Sequence, residues 1–156
     1  MPQGFGERTY QKWMDVDDLR SFRVTVKETD VLILACDDLS EIATQQVRQY
    51  RRQIEEYIAS YPQFRTSFEP LDVDQQAPAI IQKMASAAYV AGVGPFAAVA
   101  GAVAESVGQA LLAYSDEVIV ENGGDVFVAS RQDRTFGIYA GTSPLTGKLG
   151  LRVSAL

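Results

Sequence analysis

The sequence predicts an α+β domain in which helices pack on a mainly antiparallel sheet. Three observations carry that prediction. Segments of period-two alternation stand at both ends of the chain, an amphipathic helical stripe and two small-residue helical runs lie between them, and strands and helices come in blocks rather than in strict alternation. With 156 residues, the chain is long enough for one domain with a sizeable core.

The first strands lie in "FRVTVKETDVLILAC", residues 22–36. Phe22, Val24 and Val26 alternate with Arg23, Thr25 and Lys27, the pattern of a half-buried strand. Val31 to Ala35 is apolar throughout and reads as a strand covered on both faces. "KETD" between them makes the pair a hairpin.

A helix follows over "SEIATQQVRQYRRQIEEYIASY", residues 40–61. Val47, Tyr50, Ile54, Tyr57 and Tyr61 recur at steps of three and four and form one apolar stripe. Asp38 or Ser40 is placed to cap its start, and Pro62 ends it. The proline-rich "PQFRTSFEPLDVDQQAP" is a connection, with Phe64, Phe68 and Leu71 expected to be buried. A second helix starts near Pro78, "GVGP" interrupts it, and Pro95 opens a third that runs to about Ser115. "EVIVE", "DVFVA", "TFGIYAG" and "KLGLRVS" then read as strands, with "TSPLTG" as a turn.

Composition narrows the chemistry. The net charge of -6 and a pI of about 4.6 argue against nucleic acid and anionic membrane surfaces as partners. The absence of histidine removes Ser-His-Asp and Cys-His catalysis and imidazole-based zinc sites. The single cysteine, Cys36, is expected to be a buried free thiol in a reducing compartment. The N-terminal segment lacks a basic stretch followed by an apolar core, so no secretion signal is expected. The apolar run at residues 92–114 is broken by Glu105, Ser106 and Gln109 and reads as a buried helix, giving a cytoplasmic protein.

Two glycine-rich stretches are the candidate sites. In "VIVENGGDVFVAS", Asn122-Gly123 between apolar runs is a hairpin-turn signal, which leaves Gly124 as a bulge and Glu121 and Asp125 without a turn role. The functional reading is that bare backbone at Gly123 and Gly124 admits a flat or phosphorylated ligand or another backbone. In "AGVGPFAAVAG", Gly92 and Gly94 precede a helix whose N-terminal N–H groups suit a phosphate, although neither the P-loop nor the dinucleotide fingerprint is present. Close helix packing accounts for the same glycines. Glu105, a charge in an Ala-rich helix, must find a partner or a polar cleft. Glu28, Glu105, Glu121 and Asp125 would form a divalent-metal cluster if the fold converged them.

"RVTVKETDVLI", "MASAAYVAGVGPFAAVAGAVAE", "VIVENGGDVFV" and "IYAGTSPL" occur in the same order as in an uncharacterised family of prokaryotic proteins. That family resembles a branch of the ApbE-like superfamily, whose best known members are flavin transferases. These use FAD and a magnesium ion to attach FMN to threonine in partner proteins. The resemblance to the prokaryotic family covers nearly the whole chain; that to the transferases rests on a helix, a strand and Gly123-Gly124-Asp125. It implies an ApbE-like fold, FAD or FMN with magnesium as cofactors, and a nucleotide or flavin as small-molecule partner. It implies Gly123, Gly124 and Asp125 at the nucleotide and Glu105 as a polar contact. Both groups continue beyond the point where this sequence stops, and the transferases' later Asp and Thr or Ser metal set has no counterpart here. The 1–156 domain is therefore expected to be incomplete at its C-terminus, either as a truncated chain or as a natural short form without the metal half. "KLGLRVSAL" alternates like a strand with one apolar face, so cover by a second subunit or further residues, and a homo-oligomer, are expected. Two functions stay open: a flavin- or nucleotide-binding ApbE-like protein related to FMN transfer, and a non-catalytic ligand-binding or assembly module.

Overall fold

The computed structural model of the chain describes residues 18–146 and 148–155. The N-terminal segment read for a leader lies outside them, apart from Asp18.

Alternation gives β1 (Arg20–Val26) and β2 (Thr29–Ala35), a hairpin whose ladder runs from Arg20 opposite Ala35 to Val26 opposite Thr29. Residues 36–117 then carry the helices, and the chain returns as β3 (Val118–Asn122), antiparallel to β2, followed by β4 (Asp125–Ala129). The sheet order is β1-β2-β3-β4. β5 (Arg134–Gly137) and β6 (Gly150–Val153) form a separate antiparallel pair. The fold is thus α+β, as the block order predicts.

Every residue from Val31 to Ala35 is buried, because β2 is covered on both sides. Val24, Val31, Ile33, Val118 and Val120 face the helices, while Leu32, Leu34 and Ile119 face the other way, toward Val128 and Phe136. This is the period-two geometry of strands. On the helix side pack α1 (Ser40–Ser60), the one-turn α2 (Gln63–Thr66), α3 (Ala79–Ala91) and α4 (Val99–Leu111), the last preceded by a 3₁₀ turn at Pro95–Ala98. The α1 stripe buries Val47 and Ile54, whereas Tyr61 at its end is exposed and stacks on Tyr57, ring centres 4.8 Å apart.

Four local expectations are corrected. Asp38 does accept the Ser40 N–H, at 2.9 Å, but no side chain caps α1 at its N-cap residue, Leu39. Cys36 is exposed, because β2 ends at Ala35 and the chain turns outward there, held by the Ser115 hydroxyl on the Cys36 N–H. The proline-rich connection contains a helical turn anchored by buried Phe64. Phe68, expected inside, is 92% exposed, since that turn ends before it and Glu69 and Pro70 lead away.

Among the described residues no single helix is long and apolar enough to cross a membrane; α3 and the Pro95–Leu111 segment would suffice together but are bent by 109° at the glycines between them. α4 presses on β4 through Gly108, where a Cβ would sit 2.1 Å from the Phe127 ring. Gly108→Ala is expected to cost about 1–3 kcal/mol through overpacking. Urea unfolding checks this, with Phe127→Leu added to the Gly108→Ala variant recovering part of the loss.

Candidate functional site

β3 and β4 meet at Asn122 opposite Asp125, so the two central turn residues are Gly123 and Gly124. Their φ values are 64° and 105°, the positive pair that a type I′ turn demands. This corrects the expectation of an Asn122-Gly123 turn with a bulge: both glycines are explained by backbone conformation. No protein backbone comes close either, for a Cβ at each glycine would meet nothing within 4 Å. A valine at position 124 would therefore strain the turn with or without a ligand.

Glu121 is 1% exposed, and its Oε1 accepts the Gly124 N–H at 2.8 Å. The carboxylate folds back onto the turn and holds it. On the other side of the sheet, Asn122 donates its amide N–H to the Ala100 carbonyl at 3.0 Å, tying the turn to the start of α4. The turn is thus fixed from both faces, and the space above its glycines stays open.

The expected site residues fall in different places. Glu121, Gly123 and Gly124 line a cavity of about 420 Å³ on the outer face of the sheet, walled by Phe136, Ile138 and Tyr139. Asp125 and Glu105 line a second, of about 490 Å³, between α4 and β4. There Glu105 pairs with Lys83 at 2.8 Å and accepts the Gln109 amide at 3.0 Å, so the charge in the Ala-rich helix has its partners. Gly92 and Gly94 line none of the cavities described. Gly92, at φ 67°, is the left-handed C-cap of α3, and Gly94 is where the chain crosses the backbone of Ser67.

The four-carboxylate cluster does not form: among the described residues, no group of three His, Cys, Asp or Glu converges. Glu121 and Asp125 lie on opposite faces of the sheet, and Glu28 pairs with Arg51 at 2.7 Å at the β1–β2 turn.

Sequence reasoning missed a buried charge network beside the outer cavity. Arg134, 4% exposed at the start of β5, contacts Asp18 at 2.6 Å, Glu117 at 2.9 Å and the Ser130 hydroxyl at 2.9 Å. Ser130 in turn donates to Glu117, which also accepts the Arg131 N–H at 3.1 Å. The hydrogen bond from Ser130, then those from Arg134 and Arg131, hold the Glu117 carboxyl below its ordinary value despite burial. The network fixes the entry of β5, whose Phe136 and following Ile138 and Tyr139 form the cavity wall. No local pattern marks it, because Asp18 and Arg134 are 116 residues apart.

A four-stranded antiparallel sheet with helices on one face, and a glycine turn beside an aromatic-walled cavity on the other, define a small α+β domain with a candidate small-molecule site. The family profile described as "AbpE bacteria" matches residues 11–155, and the chain belongs to that family. It is similar to UPF0280 proteins of Methanocaldococcus jannaschii and Methanospirillum hungatei. That of Methanocaldococcus jannaschii is 41% identical over 133 residues, 84% of this chain and 53% of the relative. That of Methanospirillum hungatei is 45% identical over 125 residues, 79% of this chain and 51% of the relative. The chain spans about half the length of these curated relatives.

Proposed function

We propose that this chain is an ApbE-like domain that holds the flat ring of a flavin, or a nucleotide base, on the outer face of its sheet. The observation that carries the reading is the open backbone of Gly123 and Gly124, with no atom within 4 Å of a would-be Cβ, beside a wall of Phe136 and Tyr139. Side-chain-free backbone lets a planar ring approach closely, and an aromatic face is a favourable surface for it to pack on. The volume of about 420 Å³ lies within the usual range for small-molecule sites.

The fit is partial. Among the described residues no lysine or arginine lines this cavity, and buried Glu121 does, so these residues offer the ring a place and the phosphates no counter-charge. The described residues also bring together no set of carboxylates able to cage magnesium. FMN transfer is accordingly not assigned to these residues.

Titration with FMN, followed by quenching of flavin fluorescence, tests the proposal. Saturable binding is expected, and Tyr139→Ala should weaken it by about threefold to tenfold, the value of an aromatic contact. Tyr139 is 56% exposed, so the substitution leaves the core intact. Flavin binding unchanged by Tyr139→Ala would refute this placement.

A second reading is supported by the same face. Val126, Ile138, Leu149 and Leu151 are 41–62% exposed there, and clustered exposed apolar side chains are typical of association surfaces. It fits an assembly module whose outer face meets a second copy of the chain, in the cytoplasm. Light scattering during size exclusion should then give a dimer that Leu151→Glu converts to monomer; a wild-type monomer at high concentration rejects this reading.

A further inference from the structure

The largest of the cavities described, about 680 Å³, lies on the helix side of the sheet, and neither Gly123 nor Gly124 lines it. Ile54 and Ile58 of α1, Phe96 of the 3₁₀ turn and Val99 and Val103 of α4 supply an apolar wall. Its rim is charged. Lys27 pairs with Glu55 at 3.0 Å. Arg51, with its side chain only 15% exposed, pairs with Glu28 at 2.7 Å and Glu55 at 2.9 Å, and donates to the Thr29 hydroxyl at 2.5 Å. Those contacts do not exhaust its donors: buried Nε has no acceptor.

Arg65 is the third cation of the rim and makes no ion pair among the described residues. It stands in α2, whose neighbouring Phe64 is buried and anchors the turn. Three cations against two carboxylates leave this rim locally positive on a chain whose net charge is -6. An unpaired guanidinium over an apolar wall is complementary to a molecule with an anionic head and an apolar or aromatic body.

We propose that this cavity is a second binding site, for a small anion carried on an apolar or aromatic body, with Arg65 meeting the anionic group. Lys27 and Arg51, already paired, shape the rim and add to its potential, while Ile54, Ile58 and Phe96 take the body. The site is separate from the outer cavity: the two lie on opposite faces of the sheet and share no lining residue, although Asn122, beside Gly123, lines this one.

Naphthalene-2-sulfonate is a suitable probe, with neutral 2-naphthol as its uncharged counterpart. Nitrogen-edited NMR of the full chain should show saturable shifts at Ile54, Ile58, Phe96 and Val99 with the sulfonate. Arg65→Gln should weaken its affinity about tenfold, and 2-naphthol should bind the wild type no more tightly than the sulfonate binds that variant. Arg65 is exposed, so its replacement leaves the fold in place. Equal affinity of sulfonate and naphthol, equal affinity in Arg65→Gln, or shifts confined to Gly123, Gly124, Phe136 and Tyr139 would each overturn the proposal. The comparison of the two probes on the wild type decides the matter even without the variant.

Discussion

Arg134→Met is expected to lose about 3–5 kcal/mol of folding stability, the cost of breaking a buried ion pair from one side. Methionine fills the space but leaves the Glu117 carboxylate, 8% exposed, with only the Ser130 hydroxyl and the Arg131 N–H. Against a typical total of about 5–15 kcal/mol, that is a large fraction. Thermal and urea unfolding measure it. Adding Glu117→Gln to Arg134→Met should restore part of the loss, because the uncompensated charge is then gone; losses that simply add would show that the pair is not coupled. The pH dependence follows from the same contacts. Glu117 is held below its ordinary pKa of 4.5 in the folded state. Its contribution is therefore full above that ordinary value and is lost as pH falls through the lower folded value. The wild type should weaken on acidification below about pH 4.5, with a shallower slope in the double variant, which has no carboxylate at position 117.

Gly94→Ala is expected to destabilise by about 1–3 kcal/mol or more, through a clash that no side-chain rotation relieves. An added Cβ would lie 1.8 Å from the Ser67 carbonyl oxygen and 2.6 Å from its carbon. Both are backbone atoms, so the α3–α4 connection must lift off the segment after α2. Gly92 provides the contrast two residues earlier. It has open space around it but a φ of 67°, so Gly92→Asn, a residue tolerant of that conformation, should cost little. Equal losses from the two variants would contradict the distinction between steric and conformational glycines.

The local grammar of the chain was readable where one element decides it. Val24, Val31 and the α1 stripe declare their periods within a few residues, and Pro62 and Gly92 mark helix ends. The turn at Gly123 and Gly124 was readable as a turn, but its register was not, since Asn122-Gly123 and Gly123-Gly124 are both good central pairs. Either two-residue turn puts Glu121 and Asp125 on opposite faces, which already argues against a shared metal. What stayed hidden depends on distant neighbours. Arg134 finds Asp18 and Glu117 only once β5 folds back. The cationic rim of Lys27, Arg51 and Arg65 draws on a hairpin turn and two helices. Exposed Phe68 and Cys36 show the reverse error, apolar residue types whose burial is refused by where a short element stops.

Under the proposed function, the open glycine turn and the wall of Phe136 and Tyr139 would hold a flavin ring. Nitrogen-edited NMR during an FMN titration tests it most directly, because it reports position as well as affinity. Saturable shifts are expected at Gly123, Gly124, Phe136 and Tyr139, with Ile54, Phe96 and Val99 unchanged. No saturable shift, or shifts confined to Ile54, Phe96 and Val99, would contradict it.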